Sequence, residues 1–243
     1  MMKILYKFGT CTFVVSLWQG VIWITGAPPF ILPSPLQVAQ AGVSNHALIA
    51  ENALVTATEV ISGLIMGTLL GAFTAIQLAS SARLHRLLMP MLIFTQAVPV
   101  FALAPILTLW FGYGIASKVV MAVLIIYFPV TSAFYDGLMR VPADILDMAN
   151  TMGGTKQQIM RRIKIPHALP SLGTGLKLAA VYAPIGAVIG EWVGASKGLG
   201  YLMLLANGRA KTDLMFASLF TLAIMTIILH LAVIQATNYL DRQ

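Results

Sequence analysis

The sequence predicts an all-α integral membrane protein with about six transmembrane helices. Of its 243 residues, 58% are hydrophobic and only 9% are charged, and the mean hydropathy is +0.86. A soluble domain carries about 25% charged residues, which cover its surface. Because six membrane helices would use most of the chain, we expect a single domain over residues 1–243 with no soluble module.

Six runs nearly free of charged residues indicate where these helices lie. Each approaches or exceeds the roughly 20 residues that cross a hydrocarbon core. The runs cover residues 8–25, 53–79, 87–111, 119–135, 171–194 and 214–238. The first run follows Lys3 and Lys7 as a signal peptide would, but it is long for one, and the small residues Gly26-Ala27 that could mark a cleavage site are followed by Pro28 and Pro29. We therefore expect a retained helix there.

Prolines and glycines shape the expected helices. Between the first two runs, four prolines predict an extended segment from Pro28 to Pro35 on the outer face. One face of the second helix carries three glycines that favour close contact with a neighbour: Gly63, Gly67 and Gly71. Four further prolines allow kinks that either line a pathway or only help helices to pack: Pro99, Pro105, Pro129 and Pro184.

The distribution of lysine and arginine predicts the orientation. If the N-terminus is cytoplasmic, the residues that fall inside are Lys3, Lys7, Arg83, Arg86, Arg140, Lys156, Arg161, Arg162, Lys164 and Arg242. Those that fall outside are Lys118, Lys197, Arg209 and Lys211, while Lys177 lies within a helix. Because positive charge favours the cytoplasmic side, we expect both termini and the segment 137–170 to be cytoplasmic.

The segment 137–170 is polar and charged, and it predicts two short helices joined at a glycine. Pro142 suits the first turn of a helix, and Gly153 supplies a left-handed stop. Between them, apolar residues recur at helical spacing: Ile145, Met148, Ala149 and Met152. Thr155 and Gln158 form a capping-box pattern for a second helix, which we expect to end at Pro166. Such a segment either grips a partner in water or lies on anionic lipid.

No motif for catalysis or for binding a cofactor is found. The sequence lacks the G-x-x-x-x-G-K-[ST] loop that holds a nucleotide, the H-E-x-x-H zinc motif and the G-x-S-x-G elbow. Its single cysteine, Cys11, can form neither an intramolecular disulfide nor a thiolate metal site. We therefore expect a carrier of substrate with no catalytic residue, metal or cofactor of its own. A secondary transporter that uses Glu59 and Glu191 and a non-catalytic scaffold are the alternatives.

The segment 137–170 also resembles a family signature. Asp147-Met148-Ala149, three residues, Gly153, nine residues and Ile163-Lys164-Ile165-Pro166 are similar to the E-A-A, x3, G, x9, I-x-L-P motif of ABC importer permeases. Asp147 and Met148 depart from that motif, whereas the spacing from Gly153 to Pro166 fits it. The resemblance implies the type I importer permease fold, in which this segment forms a cytoplasmic coupling helix.

Other segments resemble the nitrate, sulfonate and taurine permeases of this family. They are Leu32-Pro33-Ser34-Pro35, Gln96-Ala97-Val98-Pro99, Ala104-Pro105, Trp110-Phe111-Gly112 and Gly190-Glu191-Trp192-Val193-Gly194. Residues 56–60, 128–137 and 183–192 are most similar to the subgroup assigned to uptake of a thiamine precursor, hydroxymethylpyrimidine. The resemblance implies ATP-driven import of this precursor. Taurine, a sulfonate, nitrate or another small heterocycle such as riboflavin are the alternatives.

The resemblance also implies partners and coupling residues. Two permease copies would each rest on a separate ATPase that binds ATP-Mg. A periplasmic or lipid-anchored binding protein would deliver substrate to them at a bacterial inner membrane, and no nucleic acid is expected. The residues implied in coupling to the ATPase are Asp147, Ala149, Gly153, Gly154, Ile159, Arg161, Ile163 and Pro166.

Two carboxylic acids within the membrane helices are candidates for the substrate pathway. Glu59 and Glu191 fall at similar depths, since one lies near the start of an inward helix and the other near the end of an outward helix. Unpaired carboxylates are unfavourable in lipid, so they either pair with Lys118, Arg209 or Lys211, hydrogen-bond between helices, or line the pathway. In the last case a neutral or cationic ligand fits better than an anion. The candidate pathway residues are Glu59, Gln96, Pro99, Pro184, Glu191 and Trp192.

Overall fold

The computed structural model describes the backbone of residues 2–238 and the side chains of residue 9 and residues 12–238. Helices account for 86% of the structure, and no strand occurs among the described residues, which confirms the predicted all-α class. The side chains of Lys3, Lys7 and Cys11, and the whole of Arg242, lie outside the described residues.

The described residues form eleven α-helices and one π-helical turn. In chain order they are α1 (Met2–Thr25), α2 (Pro35–Ser44), α3 (His46–Ser80), α4 (Ala82–Ala97), α5 (Val100–Phe111), α6 (Ile115–Met139), α7 (Ala143–Thr151), α8 (Lys156–Ile159), the π-turn (Met160–Lys164), α9 (Ile165–Gly194), α10 (Leu199–Gly208) and α11 (Thr212–Thr237). The helix α8, the π-turn and α9 follow one another without a break, so they act as one long helix from Lys156 to Gly194.

Four helical segments of the described residues are long and apolar enough to cross a membrane. They are His46–Ser80, Ile115–Met139, Lys156–Gly194 and Thr212–Thr237. The pair α4 and α5 makes a fifth span if its two helices are counted together. The first predicted run falls on α1, whose residues Thr12–Thr25 form an apolar helix, and most side chains before Thr12 lie outside the described residues. The described residues thus contain four or five spans, and the sequence predicts about six.

The third predicted run, residues 87–111, is not one straight helix. It is divided between α4 and α5, whose axes differ by 99°. Pro99 lacks the N–H that would continue α4, and it holds Val98 in an extended conformation with ψ near 117°. The chain therefore leaves the first helix and turns sharply, whereas Pro105 is accommodated inside α5.

The connection between α1 and α3 is more ordered than the sequence prediction. The residues after Pro28 form a turn in which the N–H groups of Ile31 and Leu32 donate to the Pro28 carbonyl over 2.9 and 3.1 Å, so the predicted extended segment is wrong there. The short helix α2 follows at once. It begins with a capping box between Ser34 and Gln37, a local pattern that was readable in the sequence.

Helices α3, α6 and α9 pack against one another through glycines. A Cβ atom at Gly63 would lie 2.5 Å from the Cβ atom of Ala122, and one at Gly186 would lie 2.6 Å from the Ala122 Cα atom. Neither distance leaves room for a side chain, so α6 is held tightly between α3 and α9. The predicted close contact along α3 is confirmed at each of Gly63, Gly67 and Gly71.

Candidate functional site

The segment between α6 and α9 folds from local signals. Pro142 caps α7, and its carbonyl accepts the Leu146 N–H at 3.3 Å. The helix ends at Thr151, and Gly153 just beyond it has a φ of +79°, a conformation that residues with a side chain rarely adopt. The Gly154 N–H then donates to the Ala149 carbonyl over 2.9 Å and closes the helix end. The predicted glycine stop is confirmed.

Gly154 is constrained for a different reason from Gly153. A Cβ atom at Gly154 would lie 2.8 Å from the Ala149 carbonyl oxygen, whereas one at Gly153 would meet none of the described residues within 4 Å. The first of these two glycines therefore supplies a backbone conformation, and the second allows a close approach of the chain. Together they fix the angle between α7 and the helix that follows.

The second helix begins where the sequence predicts but does not end there. Thr155 and Gln158 form the predicted capping box, with the Thr155 N–H donating to the Gln158 side chain over 2.9 Å. Pro166, however, does not end the helix. In the π-turn the Ile165 N–H donates to the carbonyl of Met160, five residues back. This wider turn shifts the hydrogen-bond pattern just before the proline, so its missing N–H and its ring are tolerated near the start of α9.

Apolar side chains anchor the start of this long helix. Ile159 and Met160 are buried, and Ile163 is half-buried. Met160 belongs to a core cluster that also contains Phe134 of α6 and Ala168 of α9. The base of the segment is therefore held firmly by the membrane helices.

In contrast, α7 buries none of its residues. Ile145, Met148 and Met152 lie at helical spacing and expose 37%, 60% and 80% of their surface, respectively. Asp147 and Arg161 are exposed as well, and Ala149 is half-buried. We call Ile145, Met148 and Met152 the α7 stripe. An apolar stripe on a polar segment, uncovered among the described residues, is typical of a surface that a partner protein covers.

A second group of polar residues is buried between α3, α9 and the start of α10. The Thr56 hydroxyl donates to Oε1 of Glu191 over 2.6 Å, and Thr56 Oγ1 accepts the Leu199 N–H at 2.8 Å. One turn earlier, the Asn52 side chain accepts the Gly198 N–H at 2.8 Å. Helix α3 is thus joined by hydrogen bonds, inside the apolar region, to the end of α9 and the start of α10, which are distant from it in sequence.

Glu59 and Lys118 complete this buried cluster. Lys118 is 1% exposed, and its ammonium group donates to the carbonyls of Tyr113, Gly114 and Gly194. The last of these carbonyls lies at the end of α9, where positive charge is favoured. Glu59 is 2% exposed; its carboxyl group faces that of Glu191, and its Oε2 atom has no hydrogen-bond partner among the described residues.

The predicted pathway residues fall into two sets. Gln96, Pro99 and Trp192 are exposed. The buried set consists of Glu59, Glu191 and Pro184, so a ligand reaches the two carboxyl groups only if the surrounding helices separate. Of the structural alternatives, the hydrogen bond between helices is present at Glu191. Within the described residues, neither carboxyl has an ion pair with Arg209 or Lys211.

Sequence reasoning missed Asn52 and Thr56 as members of this cluster. Together with Glu59 they occur at positions i, i+4 and i+7 of α3, in an otherwise apolar run. That spacing indicates one buried polar face. The spacing does not indicate which other helices supply the hydrogen-bond partners of these side chains.

Comparison with known proteins agrees with this architecture. A family model described as "binding-protein-dependent transport system inner membrane component" matches residues 67–243. Among solved structures, an inward-facing conformation of the MetNI methionine ABC transporter is similar with a TM-score of 0.71. That match covers 81% of this chain and 98% of the other at 19% identity, so it shows the fold.

Three relatives are similar over most of their length. The probable ABC transporter permease protein of Haemophilus influenzae is 46% identical over 90% of each chain. The formylaminopyrimidine transport permease protein ThiX of Halalkalibacterium halodurans is 36% identical, also over 90% of each chain. The riboflavin transport system permease protein RibX of Chloroflexus aurantiacus is 34% identical over 91% of this chain and 83% of its own.

These matches agree with the resemblance seen in the coupling signature and with the helical architecture. The relatives are transport components rather than enzymes. The chain therefore belongs to the family of binding-protein-dependent inner membrane transport components, and it is the permease subunit of an ABC importer.

Proposed function

We propose that this permease imports a thiamine precursor of the hydroxymethylpyrimidine type, driven by ATP hydrolysis on a separate subunit. The observation that carries the coupling part is the uncovered α7 stripe, which lies next to the firmly anchored start of the long helix. The substrate part is supported by similarity to a formylaminopyrimidine permease, together with the segments that resemble the thiamine-precursor subgroup. A riboflavin permease of similar identity makes another small heterocycle the main alternative.

Coupling follows from the contrast between the two parts of the segment. The α7 stripe enters a cleft on the ATPase, while Ile159 and Ile163 fix the base to the membrane helices. Gly153 and Gly154 set the angle between these parts, and Asp147, Ala149, Arg161 and Pro166 complete the set of coupling residues. When ATP draws two ATPase subunits together, their motion is transmitted through α7 to α9. ATP can shift the equilibrium between the inward-facing and outward-facing states of the permease only if α7 makes different contacts with the ATPase in the two states.

The assembly proposed around this chain has three kinds of partner. The family implies an ATPase and a substrate-binding protein. We propose further that two copies of this chain, each a single domain of residues 1–243, pair about a two-fold axis. The ATPases, which bind ATP-Mg, lie on the cytoplasmic side of the membrane, and both termini of the permease lie on that side as well. The periplasmic or lipid-anchored binding protein docks on the other side, near the exposed Glu51–Lys197 ion pair, whose atoms are 2.7 Å apart.

The substrate preference is also argued from hydrogen bonding. Glu59 and Glu191 place two carboxyl groups in one buried cluster, and the oxygens of carboxyl groups accept hydrogen bonds from a ligand. An aminopyrimidine offers N–H donors. We propose that Gln96, Pro99 and Trp192 line the pathway at its surface, that Glu59 and Glu191 act when the helices open, and that Pro184 shapes α9.

Uptake by cells that depend on this system tests the proposal. Labelled hydroxymethylpyrimidine, riboflavin and taurine are supplied in turn, with the ATPase gene present or deleted. We expect pyrimidine uptake that needs the ATPase and continues after the proton gradient is collapsed. Uptake by a secondary transporter driven by protons would stop under that condition. Uptake of taurine or riboflavin without uptake of the pyrimidine would contradict the proposed substrate and leave the assignment as an ABC importer permease unchanged.

A further inference from the structure

A cavity of about 710 Å³ lies between the end of α3, α7 and the start of the long helix. Its size is within the range of small-molecule sites, which is about 300–1,000 Å³. Ile76 and Ala79 of α3 and Ile165 form part of an apolar wall. The cavity therefore offers a surface for hydrocarbon directly beside the coupling segment.

The lining of the cavity is also basic. Lys156, Arg161 and Lys164 belong to it, and none of the acidic residues in the described part of the chain does. Among the described residues none of these three side chains takes part in an ion pair or a side-chain hydrogen bond. Lys156 and Arg161 are exposed, and Lys164 is partly exposed, so a ligand can reach all three. Unpaired cations gathered at one concave surface attract an anionic group.

The position of the cavity along α3 gives its depth in the membrane. The exposed Glu51–Lys197 ion pair marks a water-facing level near one end of that helix. Ser80, which also lines the cavity, is 29 residues further on, or about 43 Å at 1.5 Å per residue. A bilayer measures about 40–45 Å with its headgroups. The basic part of the lining thus lies at the headgroup level of the opposite leaflet.

We propose that this cavity binds one anionic phospholipid. Its phosphate contacts Lys156, Arg161 and Lys164, while its glycerol and upper acyl chain lie on the wall formed by Ile76, Ala79 and Ile165. A single molecule that combines a negative headgroup with hydrocarbon matches both the basic and the apolar lining residues at this depth. The lipid would then fill the space between α7 and the end of α3 and so support the coupling segment. Only the assignment to the cytoplasmic leaflet rests on the proposed function.

Native mass spectrometry of the purified full-length permease tests this directly. Delipidated protein is titrated with phosphatidylglycerol or phosphatidylcholine. The test variant carries Arg161→Gln and Lys164→Gln. The matched control carries Arg140→Gln and Arg162→Gln, which remove the same charge from exposed residues that do not line the cavity. Thermal unfolding of each variant in detergent shows that it is folded before lipid is added.

We expect the wild type and the control to retain one phosphatidylglycerol, and the test variant to bind it about thirtyfold more weakly. Phosphatidylcholine should not occupy the site. Equal binding by the test variant, equal binding of phosphatidylcholine, or displacement of the lipid by millimolar inorganic phosphate would overturn the proposal. Loss of the lipid on adding the ATPase would overturn it too, because a protein would then fill the cavity.

The count of bound lipids is made on the permease itself and does not depend on transport. A negative result here leaves the importer function untouched. A permease that binds the lipid but takes up no pyrimidine would contradict the proposed substrate alone. The two proposals therefore fail separately.

Discussion

The hydroxyl of Thr56 lies 2.6 Å from Oε1 of Glu191, 135 residues away in the sequence, and donates a hydrogen bond to it. The hydroxyl oxygen of Thr56 in turn accepts the N–H of Leu199 at 2.8 Å. One small side chain of α3 therefore holds both the end of α9 and the start of α10. Because these atoms are buried, water cannot replace either bond when the hydroxyl is removed.

Thr56→Val should destabilise the permease by about 1–2 kcal/mol, since it keeps the shape of the side chain but leaves Glu191 and the Leu199 N–H with fewer partners. The measurement is thermal or denaturant unfolding in detergent. Thr58→Val is the matched control, because its hydroxyl is exposed and bonds only to the Val55 carbonyl of its own turn. Equal midpoints for the two variants would contradict this role of Thr56.

Glu59→Gln should impair pyrimidine uptake more than folding. The Oε2 atom of Glu59 has no hydrogen-bond partner among the described residues, and an amide at this position can donate to the facing Glu191 carboxyl group. Glu191→Gln is the comparison, because it weakens the acceptor for Thr56 and for the Gly200 N–H and should lower stability. Uptake and unfolding are measured on both. Normal uptake by the Glu59→Gln variant would contradict the proposed role of Glu59 in the substrate pathway.

The parts of the structure that were predicted from sequence are those encoded by neighbours in the chain. The Gly153 stop and the Thr155 capping box depend on contacts over a few residues, so their patterns are visible directly. The capping box of α2 also depends on neighbouring residues, but it overlaps a proline-rich stretch that is typical of an extended chain. Pro166 shows the limit of local rules, because the π-turn before it allows the helix to continue.

The parts that could not be predicted depend on distant residues. The polar spacing along α3 indicates a buried face, yet only the packing of α3, α6, α9 and α10 brings Glu59, Glu191 and Lys118 together. The same applies to the bend between α4 and α5: Pro99 permits a break, whereas the 99° angle is set by how both helices pack on the rest of the fold. Family resemblance supplied the coupling role, which geometry alone does not encode.

Gly153→Val should leave the permease inserted but lower transport. A β-branched residue at a φ of +79° is strained, so the angle between α7 and α8 must change. Gly153→Asn is the control, because asparagine tolerates the left-handed conformation better. Insertion, ATPase co-purification and uptake are compared. Unchanged uptake and normal co-purification in the Gly153→Val variant would show that this bend does not matter for coupling.

Met152→Asp should reduce ATPase co-purification at least about tenfold, because it places an unpaired charge on the α7 stripe that the partner covers. Met152 is the most exposed residue of that stripe, at 80%. Thr151→Asp adds the same charge to an exposed neighbour outside both the stripe and the cavity and should retain the partner. Equal loss in both variants would point to the charge of the segment rather than to the stripe.

Cross-linking from α7 tests the central claim most directly. Cys11 is the single cysteine of the chain, so Cys11→Ser provides a background into which Met152→Cys or Glu51→Cys is introduced. With a short bifunctional maleimide, the Met152→Cys variant should join the ATPase subunit in the assembled, active transporter, and the Glu51→Cys variant should not. An adduct from Glu51→Cys, with none from Met152→Cys, would contradict coupling through α7.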